Sequence, residues 1–297
     1  MGKESLTRRD FLRLAMIGPM AGSFIPGRLY KGQAISEVRS RVVLIRHPEA
    51  VDEGRRLNPE VIQKMLDEAV AALLGTQEPL AAWKQIIKPQ DIVGIKTNVW
   101  AYLPTGKEVE QAIKRRVIDC GVPEERIGIE DRGVLRSQIF RQATALINVR
   151  PARTHYWAGM GGCLKNLITF VPDPSVFHPD TCADLAKLWE NPLIKNKVKL
   201  NILLMLTPLF HGVGPHHFSE QYVWPYRGII VGQDPVAVDA TGMRILEAKR
   251  KEFFGENRPL QPPAHHIIYA ETRHHLGVAS PARIELLRLG WTEGILI

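Results

Sequence analysis

Short apolar runs of strand length recur along this chain, and most are separated by segments with helical patterning. They cover residues 42–45, 92–96, 127–130, 145–149, 200–206 and 228–231. Wholly apolar runs suit strands buried on both faces. Between the first two lies a well-marked helix. Asn58-Pro59-Glu60 supplies an N-cap, a proline at the first position and an early acid. Val61, Met65, Val70, Leu73 and Leu74 form its apolar stripe, and Gly75 closes it. Helical patterning returns at 81–87, 108–120 and 180–189. It returns again from Asp234-Pro235 to about residue 254, at 264–276, and after Ser280-Pro281. Strand–helix alternation of this kind predicts an α/β fold. The expected form is a mostly parallel sheet with helices on both faces, a Rossmann-like three-layer arrangement. No Gly/Ser-rich linker divides residues 35–297, so one α/β domain is expected there.

In open α/β sheets, ligands bind beyond the carboxyl ends of the strands. The polar residues that follow these runs are therefore the candidate site. Lys96 and Asn98 follow the second run, and Asp131 and Arg132 the third. Arg153, His155, Lys165 and Asn166 come after the fourth, His211 follows the run at 200–206, and Asp234 follows the run at 228–231. A lysine ending an apolar strand needs an anionic partner or a path to water. The stretch from Thr154 to Asn166 adds glycines at 159, 161 and 162 before a short helical segment. Glycines admit close backbone approach, and helix starts favour anions. Together these groups predict a pocket for a small anionic ligand bound by Lys96, Asn98, Arg132, Asn166 and Asp234. His155, Lys165, Asp131 and Asp239 are the candidate catalytic residues. His155 is the expected proton shuttle, because free imidazole titrates near neutrality. Asp131 or Asp239 is expected to orient it. Asp239 sits about 140° around its helix from Asp234 and needs a buried partner, for which Lys96 or Lys165 is expected.

An enzyme built this way requires a histidine within hydrogen-bond reach of a carboxylate in a concave pocket. A non-catalytic binding protein predicts a closed pocket without that pair. His211, His216 and His217, with His155, His178, Asp131 and Asp234, offer donor types suited to zinc or iron, but without H-E-x-x-H or facial-triad spacing. The histidine pairs at 265–266 and 274–275 read as a solvated helix face. No G-x-G-x-x-G, Walker A or G-x-S-x-G motif is present. The cofactor is undefined. Cys120, Cys163 and Cys182 cannot supply the four thiolates of an iron–sulfur cluster from this chain alone.

Ser5-Leu6-Thr7-Arg8-Arg9-Asp10-Phe11-Leu12-Arg13 matches the twin-arginine export signal. The apolar run that follows, 14–25, is broken by Gly18, Pro19 and Gly22, too short and interrupted for a stable membrane span. Residues 1–34 are thus expected to be a signal segment recognised by the twin-arginine machinery, which places the rest in the periplasm or otherwise outside the cytoplasm. That segment also carries half of the formal charge of +8. What remains is too dilute to predict a nucleic-acid partner.

Several of these motifs recur together. I-K-x-N at 95–98, Asp131-Arg132, H-x(9)-K-N from His155 to Asn166, Gly214-Pro215 and D-P-V-A-V-D-A at 234–240 resemble the domain-of-unknown-function 362 family. The resemblance runs from about Val42 to Arg250. It implies an α/β fold and, for exported relatives, a twin-arginine leader. Some members of that family carry ferredoxin-like cysteine clusters, which this chain lacks. It implies no settled reaction.

Overall fold

Among the residues that the computed structural model describes, 39–212 and 218–297, eight strands pair into one mixed sheet. They are β1 (Ser40–Arg46), β2 (Val93–Lys96), β3 (Ile127–Glu130), β4 (Ala145–His155), β5 (Gly159–Gly161), β6 (Val198–Leu209), β7 (Gly228–Gly232) and β8 (Ile284–Gly290). The order is β3-β2-β4-β6-β7-β1-β8, with the short β5 folded back antiparallel on the end of β4. Strands β3, β2, β4 and β6 run parallel, as do β1 and β8. Strand β7 is antiparallel to both of its neighbours. The expected signal segment at 1–34 and the segment 213–217, with Gly214-Pro215, His216 and His217, lie outside the described residues.

Alternation along the strands sorts side chains onto two faces. Val43, Ile45, Ile147, Val149, Ile202, Leu204, Ile229 and Val231 pack with α1 (Pro59–Leu74), α2 (Pro79–Ile86) and α3 (Lys107–Asp119). The short helices α4 (Gln138–Gln142) and α5 (Cys163–Asn166) follow β3 and β5 in the chain. Val42, Leu44, Leu203, Met205 and Ile230 face the other way, against α6 (Pro235–Phe254) and α7 (His265–Thr272). The sheet is therefore the middle of three layers, as the run pattern predicts. The expected caps hold as well. Asn58 Oδ1 accepts the Val61 N–H at 3.3 Å, and Gly75 closes α1 in the left-handed conformation at φ 68°.

Several elements differ from the sequence reading. The segment after Ser280-Pro281 is not a helix: only Pro281–Arg283 takes a 3₁₀ turn before strand β8. Its side chains divide between the faces, Leu286 to one and Leu287 and Leu289 to the other, which suits a strand docked in parallel on β1. Residues 185–190 form a 3₁₀ helix rather than part of an α-helix. Strand β4 continues six residues beyond Val149, to His155, and every residue in it is buried. His266 is fully buried rather than on a solvated face. Burial first, then the charges of Lys165 and Arg150, push its imidazole down to about 3. Among the described residues, no helix is long and apolar enough to cross a membrane.

Candidate functional site

The carboxyl ends of β2, β3 and β4 surround a cavity of about 240 Å³. Asn98, Asp131, Arg132, Arg153, His155, Lys165 and Asn166 line it, so seven of the residues singled out in the sequence do meet there. Lys96 is close by but does not line it. Its ammonium is fully buried and donates to Asp131 Oδ1 at 2.5 Å, Thr97 O at 2.8 Å and Asn166 Oδ1 at 3.4 Å. An ammonium has three donors, and all three are occupied. Lys96 is thus a strut beneath the site, with no donor left for a ligand as expected above. Burial favours its neutral form and lowers its pKa to about 8, with Asp131 opposing. Burial pushes Asp131 upward, but the Lys96 charge, its hydrogen bond and the Val99 N–H at 3.0 Å outweigh that and hold the carboxyl below its usual value.

The Cys163 and Leu164 N–H groups at the start of α5 are already engaged. Asp239, on α6 and fully buried, accepts the Cys163 N–H at 2.7 Å through Oδ1 and the Leu164 N–H at 2.9 Å through Oδ2. The chain supplies its own carboxyl group to the start of α5. This corrects two expectations: Asp239 pairs with backbone donors rather than Lys96 or Lys165, and it does not reach His155. Gly162 makes the contact possible, since a Cβ there would lie 2.3 Å from Asp239 Oδ1. Burial raises the Asp239 carboxyl to about 7, opposed by these hydrogen bonds and the charge of Arg150.

Buried amides tie the strands together under the cavity. Asn166 Nδ2 donates to Asn148 Oδ1 at 2.8 Å and Val149 O at 3.0 Å. Asn148 Nδ2 donates to Asn201 Oδ1 at 2.9 Å and Cys163 O at 3.0 Å. Asn201 Nδ2 reaches Gln233 O at 3.0 Å. Asn148 and Asn201 were passed over in the sequence. Each interrupts an apolar run, and a buried amide there needs partners on the neighbouring strand.

Arg150 is the most informative residue that the sequence reading missed. It sits in the extended part of β4, is 4% exposed and lines the cavity, yet its Nε has no hydrogen-bond partner among the described residues. Thr169 Oγ1, on the same cavity, is also buried without a partner. Arg153 reaches Asn98 Oδ1 at 3.0 Å and stacks 4.1 Å from the Trp100 ring centre. The lining thus carries Arg132, Arg150, Arg153 and Lys165 against the carboxylate of Asp131. His155 is in the same wall, but its Nδ1 accepts the Trp157 N–H at 3.2 Å, which assigns the ring proton to Nε2. Burial first, then Lys165, Arg150 and Arg153, hold the ring neutral and far below its ordinary pKa. Neither Asp131 nor Asp239 orients it: their carboxylate oxygens are taken by Lys96 and by backbone N–H groups.

Two other predicted groups lie elsewhere. A parallel strand at 228–231 would put Asp234 on this rim. Because β7 is antiparallel, Asp234 lies at the opposite end of the sheet. There it caps α6 through Val236 N and Ala237 N and accepts the Ser40 hydroxyl and the Val278 N–H. His211 faces Arg250, with its Nδ1 2.9 Å from the guanidinium Nη1, a position suited to an acceptor of that proton rather than a metal ligand. Among the described residues, no group of three His, Cys, Asp or Glu side chains is placed to hold a metal ion.

One comparison with known families gives a match. Residues 122–244 fit the model of the family described as Domain of unknown function (DUF362), which supports the family resemblance drawn from the motifs. The matched span contains Asp131, Arg132, Arg150, Arg153, His155, Lys165, Asn166 and Asp239. Lys96 and Asn98 fall before it. No curated protein and no solved structure matches the chain.

Proposed function

We propose that this protein takes up a small anionic compound in the cavity at the ends of β2, β3 and β4. The observation that carries this reading is Arg150: a guanidinium buried in a cation-rich wall, with an N–H left unpaired. An unsatisfied buried donor costs about 1–3 kcal/mol, and more when charged. Arg150 and Arg153 are both driven toward their neutral forms by burial. An oxyanion would reverse that pressure, pairing with the Arg150 fork and with Thr169. His155, neutral with its proton on Nε2, is an N–H donor to the same oxyanion rather than a general base held by a carboxylate. His155 has no carboxylate partner at this cavity, where its Nδ1 accepts the Trp157 N–H, and this favours binding over the acid–base chemistry expected from the sequence.

Thermal or urea unfolding with and without phosphate, sulfate or a small carboxylate tests this. A ligand at one hundred times its dissociation constant stabilises by about 2.7 kcal/mol. Sulfate and phosphate also stabilise proteins in general by exclusion from their surfaces, so the comparison is with Arg150→Gln. That variant should lose at least tenfold in apparent affinity, since a hydrogen bond to a charged group contributes about 1.5–3 kcal/mol. Equal stabilisation of both proteins by every anion would remove the proposal.

We also propose export by the twin-arginine route, supported by the Arg8-Arg9 motif and the apolar run after it. A reporter fused after residue 34 should reach the periplasm with the native leader. It should stay in the cytoplasm when both arginines become lysine. Equal export of both fusions would count against it.

A further inference from the structure

Two lysines approach this site, and their nitrogens are treated very differently. Lys96 is locked by three acceptors, one of them a carboxylate. Lys165 is 3% exposed and lines the cavity, and among the described residues its nitrogen has one hydrogen-bond partner, the Cys182 thiol at 3.5 Å. Cys182 is itself buried, and burial pushes its thiol upward, so it is a neutral neighbour rather than a counter-ion. The charged groups that share the cavity with Lys165 are Arg132, Arg150 and Arg153, with Asp131 engaged by Lys96. A lysine placed among arginines, without a carboxylate of its own, adds little to anion binding that the arginines do not already supply. It is well placed to act as a free amine.

We propose that Lys165 is a nucleophile that forms an imine with a small anionic carbonyl compound, a 2-oxo carboxylate being the simplest member of the class. This rests on the anion-pocket reading and specifies the substrate of that pocket. The carboxylate meets the Arg150 guanidinium, which has the unpaired N–H, and the adjacent carbonyl carbon faces Lys165 Nζ. The amine lone pair forms the C–N bond while the carbonyl oxygen takes up a proton, giving a carbinolamine. Loss of that oxygen as water breaks the C–O bond and leaves C=N. Both hydrogens of the amine leave in the water, so no oxidant or reductant is needed. His155 Nε2–H is the donor available to the oxygen as it gains charge.

The electrostatics agree. Burial lowers the Lys165 ammonium to about 8; Cys182 opposes it, and Arg150 and Arg153 add to it. At pH 7 about one-tenth of such a group is free amine, where an ordinary exposed lysine has less than about one-thousandth. Activation of an amine by burial and neighbouring cations is a recognised route to imine-forming lysines.

The experiment uses the full chain, pyruvate as the probe and cyanoborohydride to trap the imine, with peptide mass spectrometry locating the adduct. The expected result is a reduced adduct on Lys165, formed well ahead of any on exposed lysines such as Lys64, whose side chain is 65% exposed. Arg150→Gln should slow it by roughly tenfold, in line with a lost charge-assisted hydrogen bond, and Lys165→Arg should abolish it. Because the adduct is mapped in the unaltered chain, the result does not depend on either variant folding. Labelling spread over exposed lysines with Lys165 unmodified overturns the imine. If anions still stabilise the protein through Arg150 in that case, the pocket stands and only the nucleophile is lost. If neither labelling nor stabilisation occurs, both proposals fall.

Discussion

Lys96→Met is expected to destabilise the protein by about 3–5 kcal/mol, the range for removing one partner of a buried ion pair. The methionine fills similar volume, so the loss is electrostatic. Asp131 keeps the Val99 N–H on one oxygen but loses its cation at 2.5 Å, and Thr97 O and Asn166 Oδ1 lose a donor. The double variant Lys96→Met with Asp131→Asn removes the stranded charge and should recover part of the loss. Urea unfolding midpoints at neutral pH with an unchanged slope would measure it. A cost below about 1 kcal/mol would mean that Asp131 finds water or another cation, and that the strut described here is not one.

The second large effect is a pH dependence that belongs to Asp239. Its folded pKa is raised to about 7 by burial, while in an unfolded chain the carboxyl titrates near 3.9. Between these values the folded protein holds a proton that the unfolded chain has released. Stability from this group is therefore complete below about pH 4 and is lost as pH rises through about 7. The size is on the order of 4 kcal/mol, from about three pH units at 1.36 kcal/mol each. Asp239→Asn cannot titrate. The stability of the native protein minus that of the variant should therefore fall across that interval and be flat above it. Unfolding titrations of both proteins from pH 4 to 8 measure the difference directly. A difference that rises with pH would show that the Cys163 and Leu164 N–H groups, with Arg150, outweigh burial and keep the carboxylate ionised.

Much of the framework was legible because it rests on local rules. The Asn58 and Asp234 caps, the Gly75 stop and the apolar runs each follow from short-range chemistry, and the three-layer arrangement follows from their alternation. Strand direction does not. Still, a trace of it was present: between the runs at 200–206 and 228–231 no helix was expected, and a parallel crossover usually needs one. Reading that gap would have reversed β7 and removed Asp234 from the rim. The end of β4 was lost for another reason. Pro151, Arg153 and Thr154 do not resemble an apolar strand, yet every residue to His155 is buried. Carried through to His155, the argument that singled out Lys96, a cation in an apolar run, would have found Arg150. His155 and Lys165 do line the cavity, but their surroundings could not be read from spacing. The groups that hold Asp131 and Asp239, and so leave His155 without a carboxylate, come from segments far apart in the chain.

The row of asparagines from Asn166 through Asn148 to Asn201 has a consequence for how the sheet assembles. Hydrophobic side chains tolerate sliding, because one methyl group can replace another; amides cannot. A slip of one residue between β4 and β6 would turn Asn148 and Asn201 toward opposite faces and break the hydrogen bond between them. The row therefore acts as a key between neighbouring strands, selecting one alignment among several that would satisfy the apolar core. That alignment also decides where Arg150, two residues beyond Asn148, meets the cavity.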